Sequence, residues 1–308
     1  MEIYVKKLAD SYYGDHRITT FECRYHRYIL PEVNTHRALS KNGASSRAIP
    51  TKKLIEMCLA EQVEPLEWGL DQSGMQAFTI ADEILTGKGR TVWNKARLNA
   101  VRSARALNRL GFAKQIVNRV LEPFLSTRTV LTGTDWNNFL TLRDHKDAQP
   151  EFREMAAQIA EFLRTSNPIG LGLYDWHRPY MEDADDKRAS ETSDDEWSAL
   201  LSNIGECLAD NVRYSMSNWF LSNVDLVLNM VSSSRCARAS YRTVEGEPTL
   251  YDDDLKLFHR LVKTQPVHAS PTEHQATPAF EGTPDYMTAN FTGFVPFRRL
   301  LKNETVRG

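Results

Sequence analysis

The chain has 308 residues, 41% of them hydrophobic and 25% charged, a composition of globular proteins with enough chain to bury a substantial core. Its 38 Lys and Arg stand against 40 Asp and Glu, and this net charge of −2 argues against a surface built throughout for nucleic acid or an anionic membrane. No run of about 18 apolar residues occurs, which excludes a membrane-spanning helix. Lys6, Lys7, Asp10 and Asp15 leave no apolar signal-peptide core, and Cys23, Cys58, Cys207 and Cys236 form no CxxC pair. That cysteine usage excludes a disulfide scaffold and a cysteine zinc site, and it predicts a reducing, cytoplasmic setting.

In chain order, Ile18 to Ile29 alternates, with Phe21, Cys23 and Tyr25 on one side and Glu22, Arg24 and His26 on the other, and predicts a half-buried strand. Pro31 opens a predicted helix that Asn42-Gly43 closes. Gly43 to Pro50 reads as a loop of small residues, and Thr51 as the N-cap of a helix from Lys52 to about Gln62. From Ser73 to Phe124 the pattern is helical, with breaks predicted at Gly87-Lys88-Gly89 and near Gly111. Within it Val92, Trp93, Ala96, Ala100, Ala104, Leu107 and Leu110 form a core-facing stripe. Asp135 caps a short helix ending near Arg143, and Pro150 begins another that runs to Arg164. The stretch 182–196 has almost no large apolar residue and reads as a solvated linker or insertion. A strongly apolar helix is predicted from about Trp197 to Met230, and Arg235–Thr243 follows it. Many helices around a few strands point to an α+β fold.

Chemistry concentrates in three clusters. Thr35 to Arg47 places His36, Arg37 and Ser40 before a loop, Gly43-Ala44-Ser45-Ser46-Arg47, whose small residues, hydroxyls and arginine suit a phosphate; the alternative is a polar helix cap and turn. The second cluster holds Arg119, then Asn138 and Arg143, then Ala148-Gln149-Pro150-Glu151; Arg143 at a helix C-terminus is also satisfied by the dipole there. The third is His268-Ala269-Ser270-Pro271-Thr272-Glu273-His274. Its two histidines are six apart around a proline, unlike a helical zinc pair, so no metal site is assigned.

Together these segments resemble the flavin-dependent thymidylate synthases, the ThyX family. His36-Arg37-x-x-Ser40 through Ser45-x-Arg47 is similar to that family's Arg-His-Arg signature, and Asn138-Phe139-Leu140-x-Leu142-Arg143 with Ala148-Gln149-x-Glu151 to its Asn-Phe-Leu-Asn-Leu-Arg and Ala-Gln-x-Glu motifs. Arg119 with Pro123 matches its Arg-x-x-x-Pro, His268-x-x-Pro271-x-Glu273-His274 its His-x-x-Pro-Phe-Glu-His, and Ala237-Arg238-Ala239-Ser240-Tyr241 its Ala-Arg-Val-Ser-Phe. The last two motifs precede the His-Arg motif in the ordinary family and follow it here, which suggests a circularly permuted, phage-type member. The implied domain is single, a ThyX-like α+β fold with helices around a small, mostly antiparallel sheet. Residues 1–165 would carry the nucleotide part, 182–196 the linker, and 197–308 a helix with the relocated flavin-binding part.

The resemblance implies transfer of a one-carbon unit from methylenetetrahydrofolate to C5 of dUMP, forming dTMP, with FAD as cofactor, NADPH as reductant and a homotetramer whose sites lie between subunits. His36, Arg37, Asn138, His268 and Ser270 would then contact FAD. Glu32, Gly43, Ala44, Ser45, Ser46, Arg47, Arg119 and Arg143 would bind the nucleotide, with Arg143 and Ser45 the catalytic candidates. Thr35 stands where the family has its first arginine, Glu32 where a glutamine is common and Gly43 where a glutamate is frequent, so a dUMP hydroxymethylase or a dCMP-acting enzyme is also open. A reading of another class is a nucleic-acid-binding protein that uses the basic helix 88–109, with Lys88, Arg90, Lys95, Arg97, Arg102, Arg105 and Arg109; the simpler account is a solvated basic face.

Overall fold

Strands β1 (Tyr4–Tyr13) and β2 (His16–His26) pair antiparallel around Gly14-Asp15. Gly14 takes φ +54° in this two-residue turn, a conformation most residues avoid. The computed structural model describes residues 1–74, 77–203, 222–239, 249–264 and 267–301. In it β3 (Ser40–Gly43), β4 (Ser126–Gly133) and β5 (Ile169–Gly170) complete a sheet of order β3-β4-β2-β1-β5, antiparallel except where β5 joins β1. The helices in the first half are α1 (Leu30–Asn34), α2 (Thr51–Glu61), α3 (Glu83–Arg109), α4 (Lys114–Val117), α5 (Asn137–Arg143) and α6 (Pro150–Thr165). Later come α7 (Asp183–Glu191), α8 (Asp194–Asn203), α9 (Asn223–Arg238), α10 (Tyr251–Lys263) and α11 (Asp285–Thr288), with an antiparallel pair β6 (Ala276–Pro278) and β7 (Phe294–Pro296). The expected α+β class and mostly antiparallel sheet are what the chain forms.

The sheet is covered on both faces, which corrects the half-buried reading of β2. Phe21, Cys23 and Tyr25 pack with Phe152, Met155 and Ile159 of α6. The intervening Glu22 and His26 are buried as well, because the C-terminal half and the loops cover that side. Glu22 accepts from Tyr4 Oη at 2.7 Å and Tyr180 Oη at 2.6 Å, and His26 Nδ1 pairs with Tyr28 Oη at 2.7 Å. A buried carboxylate is tolerable only with such partners.

Several local expectations change. The helix opened by Pro31 stops at Asn34, and Ser40–Gly43 instead extends along β4 as an edge strand, opposite Thr129–Thr132. Gly43 has no side chain to clash there, since a Cβ would sit 3.1 Å from Thr129 Oγ1. Thr51 lies in the first turn of α2 rather than capping it, and its hydroxyl donates to Asn118 Oδ1 at 2.8 Å. Helix α3 runs unbroken through Gly87 and Gly89; the latter admits the Trp68 ring, which a Cβ would meet at 2.7 Å. Its inward stripe is Trp93, Ala100, Val101, Ala104 and Leu107, while Val92, Ala96 and Leu110 are exposed.

The stretch read as a solvated linker folds into α7 and the start of α8. Asp185 of α7 is buried because Arg235 of α9 pairs with it at 2.7 Å, and Trp197 of α8 is fully buried. The middle of the predicted 197–230 helix (204–221), Cys207 and residues 240–243, including Ser240 and Tyr241, lie outside the described residues. The aromatic stretch after Pro278 supplies core, with Phe291, Phe294, Val295, Phe297 and Leu300 all buried. Among the described residues no helix is long and apolar enough to cross a membrane.

Candidate active site

Strand β3 joins the sequence clusters. At its N-terminal end, α1 runs into a turn held by Lys41, whose Nζ donates to the carbonyls of His36 at 2.5 Å and Leu39 at 2.9 Å. This turn buries the His36 ring against the edges of Phe139 of α5 and Phe152 of α6. Arg143, in the last turn of α5, donates from Nε to His36 Nε2 at 2.9 Å and lays its guanidinium over Phe152, 4.5 Å from the ring centre. Because Nε2 accepts, the ring is the neutral Nδ1–H tautomer. Burial and the neighbouring Arg143 and Lys41 push the His36 pKa down to about 4. The two terminal nitrogens of Arg143 have no partner among the described residues, so a half-buried guanidinium is aimed and left free to bind.

In the middle of β3, Asn42 meets the C-terminal half. Asn42 Nδ2 donates to Cys236 O at 2.8 Å, and Ser270 Oγ donates to Asn42 Oδ1 at 3.1 Å. Ser270 is exposed at this contact, and His268, Arg37 and Asn138 are exposed in their own segments.

At the C-terminal end of β3 the small-residue loop begins. Ala44 N donates to Arg128 O at 3.1 Å, so this amide is committed to the sheet edge and not free for an anion. Ser45 and Arg47 are exposed, whereas Ser46 is buried and donates to Glu122 Oε1 at 2.5 Å. Arg119 reaches the same oxygen at 2.9 Å, so Glu122 ties the loop to Arg119. Arg27 lies below, with Nη1 donating to Ala44 O at 3.1 Å and Nε 3.4 Å from Glu122 Oε1. Although burial opposes it, the Ser46 hydroxyl and the two arginines hold the Glu122 carboxyl below the usual carboxylate range.

The structure thus brings His36 together with Arg143, Asn42 with Ser270, and Ser46 with Arg119. Glu32 is half-buried in α1, and its Oε2 has no partner among the described residues. Sequence reasoning missed Arg27, Lys41 and Glu122. Lys41 and Glu122 lay within or beside the segments singled out, but their roles depend on carbonyls and donors that only the turn and the 3-10 segment Asn118–Phe124 bring close.

A sequence profile described as thymidylate synthase complementing protein matches residues 9–169, more than half of the chain. The chain belongs to that family. The matched residues of this family member end before α7, so the Ser270 segment that touches β3 comes from outside them. Two solved structures of PolB, a UMP/dUMP methylase from Streptomyces cacaoi, are similar to it. The one bound with 5-Br dUMP is 16% identical with a TM-score of 0.42 and covers 53% of this chain and 90% of its own. The one bound with 5-Br UMP is 17% identical with a TM-score of 0.43 and covers 53% and 88%. No curated protein matches the chain.

A buried polar chain joins the sheet to the C-terminal half. Ser11 Oγ pairs with His177 Nδ1 (2.9 Å), His177 Nε2 with Thr20 Oγ1 (2.7 Å), Thr20 with Thr132 Oγ1 (2.8 Å), and Thr132 with His274 Nδ1 (2.7 Å). All five are buried, and His274 Nε2 has no partner among the described residues. An orphaned lone pair is less costly than an orphaned N–H, so His274 carries its proton on Nδ1 and each group donates onward toward Ser11. Burial pushes the pKa of both histidines down to about 3, which keeps them neutral. This chain pins the Ser270–Glu273 segment, through His274, to β4 and β2. On the basic helix, Arg97 is buried and donates to Cys58 O at 2.7 Å, so it is not free to track phosphates, and the exposed Arg90 pairs with Glu64 at 3.2 Å.

Proposed function

We propose that this family member transfers a one-carbon unit from methylenetetrahydrofolate to C5 of dUMP, with FAD as cofactor and NADPH as reductant. The observation that supports it is the role of β3: its two ends and its middle hold, in one short strand, the Arg143 pair, the Ser270 contact and the phosphate-suited loop. Exposed His268, Ser270, Arg37 and Asn138 offer imidazole, hydroxyl, amide and guanidinium groups suited to a flavin dinucleotide. When bound, the flavin supplies the redox chemistry.

The chain's own residues bind and orient. Arg143, aimed by neutral His36, places its terminal N–H groups to stabilise negative charge on the pyrimidine as C5 becomes nucleophilic. His36 is a positioning residue in this account, since its ring is buried and its Nε2 is taken by Arg143. Ser45, Arg47 and Arg119 are exposed donors for the phosphate. We further propose that the chain is a permuted member whose C-terminal half carries the flavin contacts, that it assembles as a homotetramer, and that a second copy completes each site.

The test is anaerobic incubation of the full chain with FAD, NADPH, methylenetetrahydrofolate and either dUMP or dCMP, followed by mass analysis of the nucleotide. A methyl gained on dUMP is the expected result. A hydroxymethyl product or a product from dCMP would replace the proposed reaction, and a colourless protein that binds no flavin would end it.

A further inference from the structure

The loop that the proposed function gives to the nucleotide phosphate already holds an anion of its own. Glu122 Oε1 accepts from Ser46 Oγ at 2.5 Å and Arg119 Nη1 at 2.9 Å and lies 3.4 Å from Arg27 Nε. The partners differ in how firmly they are held. Ser46 is buried, and the Arg27 side chain is 11% exposed and bound to Ala44 O and Thr127 Oγ1, whereas the Arg119 side chain is 56% exposed. Glu122 is therefore anchored from below by fixed donors and met from outside by Arg119, which is exposed and able to turn away.

We propose that Glu122 is a specificity-determining residue that grades phosphate ligands by charge, admitting a monophosphate and disfavouring the di- and triphosphate; this rests on the nucleotide reading of the loop. An incoming phosphate recruits Arg119 and the exposed Arg47, with Lys114, which donates to Ala48 O at 3.1 Å, at the loop's far end. Glu122 stays in place because Ser46 and Arg27 still hold it. Repulsion between fixed charges grows with the product of the two charges, so one carboxylate opposes a triphosphate more than a monophosphate. The same carboxylate keeps Arg27 and Ser46 occupied, which withholds two donors that extra phosphoryl groups would otherwise use.

The test is calorimetric binding of the full chain to dUMP, dUDP and dUTP, and to inorganic phosphate and tripolyphosphate, for wild type, E122Q and E122D. Glutamine keeps an acceptor for Ser46 and Arg119 without the charge; aspartate keeps the charge. At low salt E122Q is expected to bind dUMP about threefold and dUTP more than about tenfold tighter, while E122D holds the dUTP-to-dUMP ratio within about twofold of wild type. E122M, similar in volume and uncharged, provides a second reading if the loop rejects the amide. Equal gains for every phosphate, or weaker binding of all of them with unchanged thermal unfolding, would make Glu122 only a loop anchor and overturn the proposal. If the inorganic anions show the graded gain while no uridine nucleotide binds, the charge filter stands and the nucleotide reading falls. If dUMP is bound and converted but E122Q leaves the ratio unmoved, the reading stands and the filter falls.

Discussion

Arg143 and Arg235 are both held by aromatic and polar neighbours, yet they do opposite things. Arg235 in α9 is buried, with Nη1 on Asp185 Oδ2 (2.7 Å) and Tyr180 O (2.7 Å), Nη2 on Asp185 Oδ1 (3.0 Å), and Nε shared between Thr249 Oγ1 (3.2 Å) and Asp254 Oδ2 (3.2 Å). Each of its nitrogens is engaged and the side chain is buried, so it locks α7, α9 and α10 together rather than facing a ligand. Among the described residues Arg143 has one hydrogen bond, to a neutral histidine, and a phenyl ring beneath it; it is aimed but not neutralised. Saturation marks a structural arginine, and a fixed direction with free donors marks one available for chemistry.

The strongest way to test that contrast is to break the saturated member. Asp185→Ala leaves Arg235 half-unpaired in a buried site, and chemical denaturation is expected to show a loss of about 3 kcal/mol or more. A loss below about 1 kcal/mol would mean that Asp254 alone suffices for Arg235. Arg143→Ala should behave in the reverse manner, lowering turnover by more than about tenfold with flavin retained and the denaturation midpoint nearly unchanged. Equal turnover would remove Arg143 from the proposed chemistry.

Acid provides a third test. The pKa values of His36 and His26 lie near 4 and those of His177 and His274 near 3, all depressed by burial. The unfolded chain, with ordinary histidines near 6.5, binds more protons than the folded one once pH drops below that value. Stability is therefore full above about pH 6.5 and falls as pH goes down toward 4, by up to about 1.4 kcal/mol per pH unit for each such histidine. A flat unfolding profile between pH 7 and 5 would contradict the buried neutral assignment. In Arg143→Ala the His36 resonances should titrate closer to 6.5, because a neighbouring cation is gone. The smallest effect is expected at Arg238, which pairs with Asp254 but is partly exposed: Arg238→Ala should cost about 1 kcal/mol or less, since Asp254 keeps Arg235 and Thr249.

Local signals were readable wherever the cause was local. Asp135, whose Oδ1 accepts from Asn137 N at 2.9 Å, and Pro150 mark the starts of α5 and α6, and Arg143 stands in the last turn of its helix as its position suggested. Gly111, at φ +84°, ends the α3 region as expected. What the sequence hid depends on distant partners. Ser40–Gly43 becomes a strand only because Thr129–Thr132 pairs with it, Gly89 stays helical because Trp68 packs there, and Asp185 is buried because Arg235 lies some fifty positions later. The candidate site was legible as residue types, and His36, Ser46 and Asn42 each found a partner in another cluster. The place of Glu122 against Ser46 was not legible, because a glutamate in a polar segment gives no sign of which donors will enclose it.

The buried run from His274 to Ser11 has a consequence that reaches beyond its four contacts. Each hydroxyl has a single hydrogen to give, so the proton on His274 Nδ1 dictates the orientation of each member after it, and the whole file points toward Ser11 as a unit. Replacing Thr20 by valine would sever the file in its middle and strand the His177 nitrogen and the Thr132 hydroxyl at once, leaving His274 tied to β4 through Thr132 alone.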